Sequence, residues 1–111
     1  MEKDVSVLVE HFGPSPVMRI VDFLLENRLF DYSKKQIAEG AGVGRVTLFK
    51  HWGEVEKLGL VRESRKFGKT RLFKLDEKSP VVRKLVELEL VLAEQAAKKV
   101  VGVKARIAAL A

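Results

Sequence analysis

The stretch Ser33-Lys-Lys-Gln-Ile-Ala-Glu-Gly-Ala-Gly-Val-Gly-Arg-Val-Thr-Leu-Phe-Lys-His-Trp52 decides the fold. Its first residue is a hydroxyl with Gln36 three positions on, so the Ser33 side chain can accept from the Gln36 amide while the Gln side chain reaches back to the cap. A helix therefore starts here, with Ile37, Ala38 and Ala41 as a small apolar face. Gly40, Gly42 and Gly44 around Val43 predict a sharp break, because Gly supplies the left-handed backbone of a tight inter-helix turn. A second helix is predicted from Arg45 to Leu58. With Leu48 at the centre of its inward face, Trp52, Val55 and Leu58 fall beside it at helical spacing. Val46, Lys50, Gly53 and Lys57 fall on the opposite side, flanked by Thr47 and Phe49, with Arg45 in the first turn.

After Gly59 the apolar period changes from 3.6 to 2. Leu60 to Ser64 and Arg71 to Leu75 read as strands, and the loop Arg65–Thr70 joins them through Gly68, which can take the positive φ of a hairpin. Arg62, Arg65, Lys66, Lys69, Arg71 and Lys74 stand in this hairpin against a single acid, Glu63. A basic hairpin placed directly after two helices and a tight turn is suited to gripping phosphates or probing a minor groove.

The run from Ser33 to Trp52, followed by Leu58-Gly-Leu-Val61, resembles archaeal winged helix-turn-helix transcriptional regulators, broadly similar to the MarR and ArsR groups. The resemblance extends over Ser15 to Leu75. It implies an α+β, mostly α fold: a three-helix winged helix-turn-helix with a two-stranded β wing, to which a long C-terminal dimerisation helix is added. It also implies double-stranded DNA as partner, with the second helix of the motif in the major groove. The residues expected to face DNA are Ser33, Lys34, Lys35, Arg45, Val46, Thr47, Phe49, Lys50, Arg65, Lys66, Lys69 and Arg71. One position departs from the pattern. Gly44 stands where such modules often carry a capping side chain, which weakens the N-cap of the recognition helix.

Upstream, Ser15-Pro16 signals a helix start, since Ser caps and Pro is tolerated at the first helical position. Val17, Ile20, Val21, Leu24 and Leu25 form its stripe to about Asn27, and Phe30 and Tyr32 are expected to pack beneath it. In the N-terminal segment 1–14, Val5 to Phe12 fits either an alternating strand or a helix, and the helix is favoured. Downstream, Ser79-Pro80 repeats the start signal and opens the longest helix, to Val100 at least. Leu85, Leu88, Leu92 and Ala96 make one stripe; Val82, Val86, Ala93, Ala97 and Val100 make another. A helix that covers only its own domain needs an apolar stripe of roughly 100°, and this surface is wider. The excess predicts a homodimer seam through Val82, Leu85, Val86, Leu88, Leu92, Ala93 and Ala96, unless residues 1–12 or the tail fold over it. The tail after Gly102 is open to two readings, continuation or return. Residues 15–78 are thus read as the DNA-binding unit and 79–111 as the dimerisation unit.

Composition agrees. The 111 residues, 47% hydrophobic, suit one compact core. The net charge of +6 is concentrated: −3 over residues 1–31, +7 over 32–75 and +2 over 76–111. A surface built merely for solubility has no reason to put its positive charge on this motif; a phosphate-binding surface does. There is no apolar run long enough to span a membrane, no signal peptide pattern and no Cys, so a soluble, cytoplasmic protein is expected. His11 and His51 are isolated, no Ser-His-Asp arrangement, paired acids or phosphate-cradling loop is evident, and Glu87, Glu89 and Glu94 read as solvent-facing or partner-facing charges. No catalytic residue, metal or cofactor is assigned. The leading function is a sequence-specific DNA-binding regulator; a protein-interaction module of a larger assembly is second. RNA binding is third, because no exposed aromatic platform is expected.

Overall fold

The computed structural model describes residues 13–110, with side chains for 13–99. Val5–Phe12, the segment read as a helix, lies outside the described residues. Helix α1 spans Pro16–Glu26. The Ser15 hydroxyl accepts from the Met18 amide at 3.2 Å, and the Asn27 side-chain amide donates to the Phe23 carbonyl at 2.8 Å, so both ends are closed. Helix α2 spans Lys34–Ala41 and has the full capping box: the Gln36 N–H donates to Ser33 Oγ at 3.2 Å and the Ser33 N–H to Gln36 Oε1 at 2.9 Å. Gly42, at φ 71°, ends it in the left-handed conformation. Helix α3 spans Arg45–Lys57, and its N-cap Gly44 offers no side-chain acceptor.

The three glycines of the break divide into different roles. Gly40 lies inside α2, and a Cβ there would overlap the Phe23 ring. Its purpose is close approach of α2 to α1, not the turn.

Leu58 was expected in the core and is 42% exposed, whereas Leu60 is 1% exposed. The cause is a Schellman closure of α3. Gly59 at φ 72° donates its N–H to Glu56 O (3.0 Å), and the Leu60 N–H reaches Val55 O (3.2 Å). The helix therefore stops one residue short, Leu58 turns outward, and Leu60 takes its place under the helices.

Strands β1 (Val61–Phe67) and β2 (Thr70–Leu75) pair antiparallel, with Val61 opposite Leu75 and Phe67 opposite Thr70. The hairpin is longer and its loop shorter than the sequence indicated. Arg65, Lys66 and Phe67 belong to β1, leaving Gly68-Lys69 to turn the chain, with Gly68 at φ 62°. An irregularity between Glu63 and Arg65 leaves Ser64 as the extra residue of a bulge. Its hydroxyl donates to Asp31 Oδ2 at 2.7 Å. A third rung, invisible to periodicity because it is one residue long, joins Tyr32 to Phe73: each N–H donates to the other's carbonyl, at 2.8 and 2.7 Å.

Ile20, Leu24, Leu25, Ile37, Leu48, Val55, Leu60 and Leu75 are buried where the three helices meet the base of the hairpin. Trp52 and Phe73 meet edge-to-face at 5.0 Å between centroids, as do Phe23 and Tyr32 at 5.1 Å. Tyr32 packs as expected, but Phe30 does not: it is 65% exposed, beyond the last turn of α1.

Helix α4 runs Pro80–Leu110, 31 residues or about 46 Å at 1.5 Å per residue. Of the two readings of the tail, continuation is the one observed. Ser79 is buried and accepts from the Val82 amide at 3.4 Å. The two apolar stripes part company. Val82 is 2% exposed and belongs to the domain's own core, so it is not free for a seam with another chain, and Val86 packs beside it. Leu85, Leu88 and Leu92 are only half covered, and Leu90 and Val91 are exposed. Glu89, expected to face solvent or a partner, is half-buried. Burial pushes its carboxyl above the ordinary value, opposed by Arg28 and reinforced by Asp22 and Glu26.

Gly40→Ala tests the α1–α2 contact. Ala gains about 1 kcal/mol of helix propensity over Gly, but overpacking costs about 1–3 kcal/mol. A lower urea midpoint is expected; an unchanged or higher one would show that Phe23 swings clear.

Candidate nucleic-acid interface

The capping box sets the N-terminus of α2 beside the first turns of α3, and the start of β2 closes the third side. Between them lies an open recess of about 440 Å³, lined by Ser33, Lys34, Lys35, Arg45, Leu48, Phe49, Lys69, Thr70, Arg71 and Phe73. Five of these are cations and none is a carboxylate. A concave, single-sign surface concentrates its potential on an incoming anion, and the amides at the start of α2 add to it. The recess unites seven of the residues predicted to face DNA: Ser33, Lys34, Lys35, Arg45, Phe49, Lys69 and Arg71.

Lys34 is held over the floor of this recess. Its Nζ lies 5.2 Å from the Trp52 ring centroid, 5.5 Å from Phe49 and 5.6 Å from Phe73. Cation–π attraction fixes the ammonium at the mouth without neutralising its charge. The Arg71 guanidinium also lies over the Phe73 ring, 5.4 Å from its centroid.

On the outward face of α3, Val46 is 83% and Phe49 55% exposed, Arg45 and Lys50 are exposed, and Thr47 is half-buried. Gly53 has open space where a Cβ would be, so nothing among the described residues requires glycine there. His51 is half-buried, 3.7 Å from Glu54, too long for a hydrogen bond.

The wing cations fall into two classes. Arg65 holds Asp31 through Nε at 2.9 Å and Nη2 at 3.3 Å, and Arg71 holds Glu63 through Nε at 2.8 Å and Nη2 at 3.3 Å. Arg62 and Lys74 both approach Glu77, at 3.8 and 3.5 Å. The Ser64 hydroxyl and then the Arg65 guanidinium hold the Asp31 carboxyl below its ordinary value; Arg71 does the same for Glu63. Among the described residues, no ion pair holds Lys66 or Lys69. The sequence reading treated all six alike, because the positions of Asp31 and Glu77 relative to the hairpin are tertiary facts.

Three positions escaped the sequence reading. Thr70 lines the recess on β2. Arg19 donates to the Gly42 carbonyl at 3.3 Å, tying α1 to the inter-helix turn. Phe67, near the tip of the hairpin, is 75% exposed. The signal for Phe67 was its place beside Gly68.

No protein-family model and no curated protein matches the chain. Solved structures do. The homodimeric winged helix-turn-helix DNA-binding domain of Mb0332 from Mycobacterium bovis, a possible ArsR-family transcriptional regulator, aligns with a TM-score of 0.53 at 18% identity, covering 86% of this chain and 92% of that one. The fold is a winged helix. Sso10a-2, a DNA-binding protein from Sulfolobus solfataricus, aligns at a TM-score of 0.50 and 21% identity, over 76% of this chain and 90% of that one. A double mutant of Lactococcus lactis ZitR aligns at 0.51 and 20%, over 73% of this chain. The winged helix described here spans 60% of that ZitR chain. Among the described residues, no helix is long and apolar enough to cross a membrane, and no cluster of His, Cys, Asp and Glu could hold a metal ion.

Lys69→Ala removes a recess cation that no intramolecular ion pair holds. If Lys69 meets a phosphate, affinity for all duplexes should fall alike, and the slope of log K against log salt should become shallower by about 0.9. Fluorescence anisotropy at several salt concentrations measures both; an unaltered slope would exclude the contact.

Proposed function

We propose that this winged helix is a sequence-specific, double-stranded DNA-binding transcriptional regulator that acts as a homodimer. The observation that carries the reading is the recess: five cations without a carboxylate, between the capped start of α2, the exposed face of α3 and the hairpin. In this reading α3 enters the major groove. Arg45, Val46, Thr47, Phe49 and Lys50 then meet base edges, where a guanidinium suits guanine and an apolar side chain suits a thymine methyl. Ser33, Lys34 and Lys35 take phosphates at the helix start, and Arg65, Lys66, Lys69 and Arg71 bring the wing onto the backbone or the adjacent minor groove. The homodimeric state of the Mb0332 domain supports the same assembly for this chain.

Association is assigned to α4, so that residues 15–78 bind DNA and 79–111 join two copies. With Val82 committed to the core, the seam consists of the half-covered Leu85, Leu88 and Leu92 with the exposed Ala93 and Ala96; Val86 lies at its inner edge. Two copies packed on this face present their α3 helices to two half-sites related by the same two-fold axis.

A protein-interaction module is the second reading, favoured by the large exposed Val46 and Phe49 on the α3 face. Selection from a random duplex pool separates the two. A regulator returns a sequence logo, and Arg45→Ala or Lys50→Ala relaxes it at individual positions, since one paired Arg is worth about 1–3 kcal/mol of discrimination. A pool without enrichment would leave the interaction module in possession.

Leu88→Glu tests the seam. Burying a Leu side chain fully stabilises by about 1.5–3 kcal/mol, and a charge placed there is left unpaired. Sedimentation should show dimers for the wild type at micromolar concentration and monomers for the variant, with weaker binding to a two-site duplex although every DNA-facing residue is intact. A monomeric wild type would overturn the assembly.

A further inference from the structure

The tip of the hairpin does not look like a simple phosphate grip. Phe67 is the last residue of β1 and stands opposite Thr70 in the last pair of the ladder, so no apolar side chain faces it across the strands. The next residue, Gly68, has nothing within 4 Å of its Cβ position and screens nothing. The ring is therefore left 75% exposed; among the described large apolar residues only Val46, at 83%, and Leu29, at 79%, are more exposed.

Its neighbours along the chain are cationic, while the open recess that the residue helps to line brings Lys35 and Arg65 together with Asp31 and Glu39. Lys66 precedes it and Lys69 follows the turn, and among the described residues neither is held in an ion pair. Arg65 and Arg71, one step further from the tip, are braced by Asp31 and Glu63. Two bidentate contacts thus brace the stem of the hairpin just behind a tip that carries one exposed ring between two cations that no ion pair among the described residues holds. A strand of seven residues reaches about 23 Å at 3.3 Å per residue, further than the ~12 Å width of a major groove.

We propose that Phe67 is a DNA wedge: the wing carries its ring into the minor groove, where it enters between two base pairs, partly unstacks them and bends the duplex. The idea rests on the DNA-binding reading given above. Lys66 and Lys69 are placed to take the flanking phosphates, which hold the ring at the step. Apolar side chains that enter the minor groove in this manner kink DNA by about 20–90°, and the cost is lowest at flexible pyrimidine–purine steps such as TA. The chain would then act on DNA shape as well as on sequence. A protein partner on the same ring is the competing occupant, and the charge beside it favours the polyanion.

The test uses the full chain and two 30-base-pair duplexes labelled at both ends with a donor and an acceptor dye, one with TA steps throughout its centre and one of G·C pairs alone. Anisotropy and energy transfer are read in the same titration. The wild type should shorten the end-to-end distance of the TA duplex at saturation, and more than that of the G·C duplex. Phe67→Ala should bind the TA duplex within about threefold of the wild-type Kd at the same salt and leave the energy transfer at the value of free DNA. Phe67→Leu, an alternative wedge, should restore most of the bend. Equal bending by the wild type and Phe67→Ala, or none by either while both bind, would overturn the wedge and leave the DNA-binding reading standing. Loss of binding to both duplexes by the wild type would overturn both. Phe67→Ala that bends normally but no longer self-associates in sedimentation would assign the ring to a protein interface instead.

Discussion

The edge-to-face contact of Trp52 on Phe73, 5.0 Å between centroids, is what the cationic recess depends on. Trp52 belongs to α3 and Phe73 to β2, so this contact joins the third helix to the wing. Phe73 is also the residue whose backbone exchanges two hydrogen bonds with Tyr32, which ties the hairpin to the chain entering α2. Lys34, in the first turn of α2, rests over both rings. Three elements are thereby referenced to two aromatic side chains that are themselves buried, at 4% and 3% exposure. Side chains locked by packing are the condition for holding a binding surface in one geometry.

Charge is distributed over that frame with a division of labour. Acidic residues pair with cations of the hairpin: Asp31 holds Arg65, Glu63 holds Arg71, and Glu77 serves Arg62 and Lys74. Such exposed pairs contribute little to stability on their own. Their effect is on direction: a bidentate carboxylate fixes the plane of a guanidinium and leaves its remaining N–H groups pointing outward. Lys34 is oriented by rings instead, which cost it no charge. Of the five recess cations, Arg71 is balanced by Glu63, whereas Lys34 keeps its full charge over the rings.

Helix α4 meets a different constraint. Its first two turns are anchored by the Ser79 cap and by Val82, which completes the core beside Leu75. Beyond that anchor the helix is longer than the domain beneath it, and half-covered leucines follow exposed ones along its length. Val82 joins the start of α4 to the base of the wing through the core that both share. Glu89 is half-buried on α4 within electrostatic reach of Asp22, Glu26 and Arg28, and Leu92, one turn further on, still packs against the core.

What the sequence determined by itself is whatever is written in spacing. Ser33 with Gln36, Ser15 with Pro16, and Ser79 with Pro80 announced three helix starts, because caps act over three or four residues. The inward side of α3 and the basic hairpin were equally legible, since 3.6 and 2 are local periods. Tertiary structure decided the rest. A Schellman closure at Gly59 exchanged Leu58 for Leu60, and the overlap of α2 with the Phe23 ring explains Gly40, a demand made by a neighbour distant in sequence. It also decided which cations are braced, because Asp31 is more than thirty positions from Arg65 along the chain and 2.9 Å away in space. Caps and periods are short-range and survive in one dimension; contact partners are set by how the elements pack, and no spacing within the chain encodes them.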